Sequence, residues 1–185
     1  MDSQDEETKN APSPRRRAIG ALGLVAVLVG GAFLWNRQNI GAPTQEALQA
    51  DPRNAGLDVD VRYAYWIQTD VLVVDVRETN AIAPVDLMRA LFQTANTLRT
   101  HDFERVELQH QGTVKFVLPG RDFKELGNEY AAGQNPVFLV RTFPERLLRP
   151  DGTRPFPTLE GGLLAVSGAQ MENVTEFATQ WVGGG

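Results

Sequence analysis

Few groups in this chain could do chemistry. Its 185 residues include two histidines and no cysteine. Thiolate catalysis, disulfides, zinc–thiolate sites and lipidation at cysteine are therefore excluded. His101 precedes Asp102 at an expected helix-to-strand turn, and His110 ends a strand beside Gln111-Gly112. A histidine base needs an orienting carboxylate and a nucleophile or held water. No serine sits in a G-x-S-x-G elbow, and Ser167, within Val-Ser-Gly, reads as a helix cap. Asp58 and Asp60 share one face of a strand, with Asp70 and Asp75 nearby in sequence, but the glycine-centred spacing of a calcium loop is missing. Gly120, Gly127 and Gly133 do not follow a strand in phosphate-loop order. The sequon Asn173-Val174-Thr175 falls inside a predicted helix. No catalytic residue, metal site or cofactor is expected.

What remains is the chemistry of docking. The net charge is -5 and the pI about 5.1. Phosphate contacts need an excess of Lys and Arg, so a nucleic-acid partner is disfavoured. Within this acidic chain, Arg141, Arg146, Arg149 and Arg154 face only Glu145 and Asp151 in their own segment. Guanidinium forks favour interfaces because they pair bidentately. These four arginines are the candidate partner-binding residues of the folded part.

A second docking surface lies near the N-terminus. From Ala18 to Trp35 the chain reads AIGALGLVAVLVGGAFLW, without a charge. At about 1.5 Å per residue such a run spans roughly 27 Å, near the hydrocarbon thickness of a bilayer. Arg15, Arg16 and Arg17 precede it, and only Arg37 and Arg53 follow closely. The positive-inside rule then puts the N-terminus in the cytoplasm and the rest outside. A cleaved signal peptide has the same basic-then-apolar order, but its apolar core is shorter and a small-x-small site should follow it. Gly20, Gly23, Ala26 and Gly30 fall on one band of the predicted helix, a face on which another membrane helix can approach closely.

The elements around these groups follow from periodicity. Residues 1–14 read as a disordered cytoplasmic tail, 15–36 as the anchor, and 37–56 as a tether with a short helix around 44–50. A domain is expected over 57–182, ending in a flexible tail at 183–185. In 58–68, Val59, Val61, Tyr63, Tyr65 and Ile67 alternate with polar residues, which predicts a half-buried strand turning at Thr69-Asp70 into a second strand at 71–76. Pro84 opens a helix whose stripe is Met88, Leu91, Phe92, Ala95 and Leu98. A second hairpin is expected around Gln111-Gly112, then a helix over 121–132 burying Phe123, Leu126 and Tyr130. A short helical stretch from Pro136, a short strand at 163–166, and a last helix with Met171, Val174, Phe177, Ala178 and Trp181 complete the chain.

The predicted fold is thus α+β: one transmembrane helix, then a mostly antiparallel sheet with helices packed on it, in the order β-β-α-β-β-α-α-β-α. A ferredoxin-like core from residue 71 is compatible with that order. The expected role is a bitopic accessory or assembly protein of the cell membrane, whose domain binds a protein partner in a membrane complex. The alternatives are an anchored, hydrolase-like enzyme with a dispersed site, involving His101 or Asp102, and a secreted periplasmic binder of a small ligand.

Overall fold

The computed structural model describes residues 27–79, 83–159 and 163–183. A long helix, α1, occupies residues 27–49. Its middle, Arg37–Gly41, is a π-turn, and Ala42–Gln49 is again α-helical. Pro43 explains the π-turn, because its ring would strike the carbonyl four residues back and it has no N–H to donate. Widening the turn relieves that clash. Thr44 Oγ1 donates back to the Ile40 carbonyl at 2.6 Å. Residues 37–49 are therefore helix rather than tether, and they bury Ile40 and Leu48 in the core.

Strands β1 (Leu57–Ala64), β2 (Gln68–Thr79), β3 (Arg105–His110) and β4 (Thr113–Pro119) form one sheet in sequence order. The two hairpins are antiparallel, whereas β2 and β3 pair in parallel, so the sheet is mixed, with two of its three pairings antiparallel. Parallel neighbours need a crossover, and α2 (Pro84–Thr97) supplies it. Helices α3 (Gly120–Ala131), α4 (Pro136–Thr142) and α5 (Leu163–Val182) follow. The strand expected at 163–166 is the first turn of α5. Among the described residues no strand follows β4, so the ferredoxin-like order does not form there.

All five helices contribute to the core on one face of the sheet. There Val61, Leu72, Val74, Val106, Leu108 and Phe116 meet Met88, Leu91 and Phe92 of α2, Phe123 of α3, Leu139 of α4 and Phe177 and Trp181 of α5. Helices α2 and α3 approach so closely that a Cβ on Gly127 would strike the Ala95 carbonyl. The aromatic side chains interlock: Phe177 touches the rings of Phe116, Phe143 and Trp181 at centroid separations of 5.3, 5.4 and 5.3 Å. Met171, expected in the apolar stripe of α5, is instead exposed.

Among the described residues no helix is long and apolar enough to cross a membrane. Of the apolar run at 18–35, residues 18–26 lie outside the described residues and 27–35 are helical. Gly20, Gly23 and Ala26 thus lie outside them too. Gly30 lies within them, on an open surface where an added Cβ would meet nothing.

Candidate functional site

The distinctive site lies where α1 passes the first hairpin. The turn between β1 and β2 is Tyr65-Trp66-Ile67, and Ile67 N–H donates to the Ala64 carbonyl at 3.3 Å. Tyr65 and Trp66 both have left-handed backbones, with φ of 49° and 65°. Such a pair matches the strand twist but ordinarily calls for Asn-Gly, since a side chain there is strained. All three side chains are exposed, Tyr65 by 83 %. The alternation predicted for β1 therefore stops at Ala64, and Tyr65 and Ile67 form a tip instead of core.

Helix α1 lies along the free edge of β1 and runs antiparallel to it. Asn36 Oδ1 accepts the Tyr63 backbone N–H at 2.7 Å. Gly41 lies beside the Val61 carbonyl. Buried Asn36 thereby satisfies an edge donor, and the helix covers an edge open to strand pairing. The opposite edge is covered by the chain at Leu148, which pairs with Val117 through two bonds of 2.8 Å.

Followed back towards its N-terminus, α1 leaves the sheet at the hairpin tip. Phe33 stacks obliquely on Trp66 with ring centroids 5.3 Å apart. The Arg62 guanidinium carbon lies 5.9 Å from the centroid of the Trp66 ring, within cation–π range. Residues 27–32 project past the tip by roughly 9 Å at the helical rise. Between α1 and the hairpin lies an open groove of about 810 Å³, lined by Phe33, Arg37, Gln45, Glu46, Asp60 and Trp66.

The base of α1 is tied down by a polar knot. Asp51 accepts from Arg53 through two bonds of 2.9 and 2.7 Å and from Gln93 of α2 at 2.8 Å. Arg89 stands 3.4 Å from the same carboxylate and reaches Asp86 at 2.6 Å. The Arg53 hydrogen bonds, above all, hold the Asp51 carboxyl well below the usual range.

The sheet face away from the helices carries charge. Its apolar cluster is only Ala64, Val71 and Val73, with no helix residue in it. Around it Arg62 and Arg77 each reach Asp60 at 2.8 Å, Arg105 reaches Glu107 at 3.2 Å, and Gln109 donates to Glu107 at 3.1 Å. Buried Asp75 accepts the Gly112 N–H at 3.1 Å, which fixes the second hairpin turn. These groups pair with one another, and Arg62, Glu107 and Gln109 line a depression of about 490 Å³ with Trp66, Val73 and Val114.

The histidines do not come together. His101 stacks on Phe103 before β3, with centroids 5.9 Å apart, and His110 ends the same strand. Asp102 pairs with Lys124 at 2.6 Å, and this contact holds its carboxyl below the ordinary range. Among the described residues no group of three or more His, Asp or Glu side chains is placed to hold a metal ion.

The four arginines predicted to dock a partner divide. Arg146, its side chain 19 % exposed, is bonded to both Glu129 oxygens at 3.1 and 2.9 Å. Arg141 reaches Ser167 Oγ at 3.2 Å. These two stitch the 136–146 segment to α3 and α5. Arg149 and Arg154 are exposed on the following turn, where Arg154 donates to the Glu145 carbonyl at 3.0 Å.

The residues at 65–67 escaped the sequence reading because nothing there signals a turn. The available sign was density of side chain: Tyr63, Tyr65, Trp66 and Ile67 crowd one strand end. Compared with protein-family models, curated proteins and solved structures, the chain matches none.

Proposed function

We propose that this chain is a bitopic membrane protein, N-terminus inside, whose α+β domain serves as an accessory or assembly module for a complex on the outer side of the cell membrane. One observation carries the membrane part. Consecutive residues Val27, Leu28 and Val29 are exposed by 72, 63 and 64 %. Three successive positions on a helix point about 100° apart, so the surface is apolar all round. Among the described residues no element of the domain covers it, and the apolar run continues back to Ala18 behind three arginines. Lipid is the medium that such a surface fits.

The binding role rests on the polar groups. The clusters around Asp51, Asp60 and Asp75 are occupied in holding the fold, which favours a surface that docks over a pocket that reacts. On this reading Gly30 lies on the small-residue face offered to another membrane helix, together with Gly20, Gly23 and Ala26. Arg149 and Arg154 meet the partner outside, while Arg141 and Arg146 shape the segment that presents them. No cofactor and no nucleic acid enter this role.

Reporter fusions test the topology. A reporter after Gly185 is expected to be active outside the cytoplasm and one before Met1 inside it; the reverse pattern rejects the proposal. Purification of the full chain in mild detergent is expected to retain a stoichiometric membrane partner. Charge reversal at Arg149 and Arg154 together is expected to weaken that association, because interface charges alter binding while exposed ones alter stability little.

A further inference from the structure

We propose that the first hairpin tip is a second membrane contact: Tyr65, Trp66 and Ile67 enter the headgroup boundary of the leaflet from which α1 emerges, and so fix the orientation of the domain on the bilayer. This rests on the membrane reading above and adds to it a site in the folded domain.

Three observations point to the bilayer as the occupant. The first is position. Phe33 touches Trp66 at 5.3 Å, and Phe33 lies two residues inside the end of the apolar run at Trp35. At the helical rise this is about 3 Å of depth. If the run is embedded, the Trp66 ring lies at the level of the headgroups, and α1 continues past it towards the hydrocarbon.

The second is composition. Trp35, Tyr65 and Trp66 surround the point of emergence, together with exposed Phe33, Leu34 and Ile67. Tyr and Trp concentrate at membrane–water boundaries because each has an apolar body and a polar edge. Arg37, exposed one turn beyond Phe33, is a cation within the same zone, suited to lipid phosphates, while Arg62 beneath Trp66 is engaged by Asp60 at 2.8 Å.

The third is conformation. Left-handed backbones at two aromatic residues are unfavourable by about 1–2 kcal/mol each. Outliers of this kind collect where a side chain is needed for more than folding. Here the strained turn leaves Tyr65 83 % exposed, so burial within the described domain offsets little of the strain.

The absence of cysteine makes the test direct, since a single introduced cysteine takes a nitroxide label without background. Three full-length variants, Leu34→Cys, Ile67→Cys and Glu78→Cys, are labelled and reconstituted in phosphatidylcholine–phosphatidylglycerol vesicles. Collision of each label with oxygen, which partitions into lipid, is compared with collision with a water-soluble nickel chelate. Glu78 is exposed near the other end of β2 and reports the distal side of the domain. The inference predicts that labels at 34 and 67 are both accessible to oxygen and shielded from nickel, and that the label at 78 is fully accessible to nickel. A lipid signal at 34 with water accessibility at 67 equal to that at 78 overturns the tip contact and leaves the anchor standing. Water accessibility at both 34 and 67 overturns the anchor as well. Repeating the measurement in pure phosphatidylcholine separates the contributions: loss of nickel shielding at 67 there would assign the contact to Arg37 acting on anionic lipid, and overturn insertion of the aromatic tip.

Discussion

The two hairpins of this sheet turn at opposite ends and solve one problem with different residues. At the far end Gln111 and Gly112 take positive φ, of 50° and 80°. Glycine bears this conformation without strain. Asp75 binds the Gly112 N–H, and Trp181 Nε1 donates to the Gln109 carbonyl at 2.9 Å, so that end is braced from both faces. At the near end Tyr65 and Trp66 take the same conformation with full side chains, and among the described residues the side chains of Phe33 and Arg62 brace Trp66. The far turn is built for folding. The near turn sacrifices some folding stability to keep three large apolar side chains in the open.

This contrast can be broken first at the braced end. Trp181 is buried against Phe177 and anchors β3. Trp181→Ala is expected to destabilise the fold by about 3–5 kcal/mol, read as a lower urea midpoint. Gly112→Val places a β-branched side chain at φ 80° and is expected to lose about 1–3 kcal/mol in the same measurement.

At the near end the sign reverses. Tyr65→Asn with Trp66→Gly relieves left-handed strain of about 1–2 kcal/mol per residue and forfeits the Phe33 ring contact, about 0.5–1.5 kcal/mol, and the Arg62 cation–π contact, about 0.5–1 kcal/mol. The strain exceeds the two contacts, so the double variant is expected to be more stable by about 1 kcal/mol. An unchanged or lower midpoint would mean that the tip serves the fold. The smallest effect belongs to Ile67→Ser, expected to stay within about 0.5 kcal/mol of the parent because the side chain is exposed.

The knot under α1 gives a pH signature instead. The folded Asp51 carboxyl is depressed, so its contribution is complete above the ordinary carboxylate range and fades as the pH falls through that range and below it. Asp51→Asn is expected to flatten the acid side of the stability profile. A profile of the same shape in both proteins would remove Asp51 from the account.

Much of the domain was legible in the sequence because periodicity reports burial. The stripe Met88, Leu91, Phe92, Ala95 and Leu98 is buried throughout, as are Phe123, Leu126, Val174, Phe177 and Trp181. Turn chemistry placed the second hairpin at Gln111-Gly112, where a glycine marks it. The first hairpin carries no such mark. Thr69-Asp70 resembles a turn more than Tyr65-Trp66-Ile67 does, so the predicted strand ran four residues past Ala64. Pro43 and Gly41 resemble tether residues, yet a π-turn carries the helix through them. Leu163 to Val166 are apolar on every side, and periodicity cannot tell a short strand from the start of a buried helix. Arg146 looked free for a partner because its mate, Glu129, lies 17 positions away.

The central claim is that the apolar run holds this chain in a membrane. The most direct test is an alkaline carbonate wash of membranes from cells producing the full chain, followed by mass measurement of the recovered protein. The account predicts retention in the membrane pellet with the N-terminal segment intact. Release into the wash, or a mature chain beginning between Phe33 and Thr44, would contradict it.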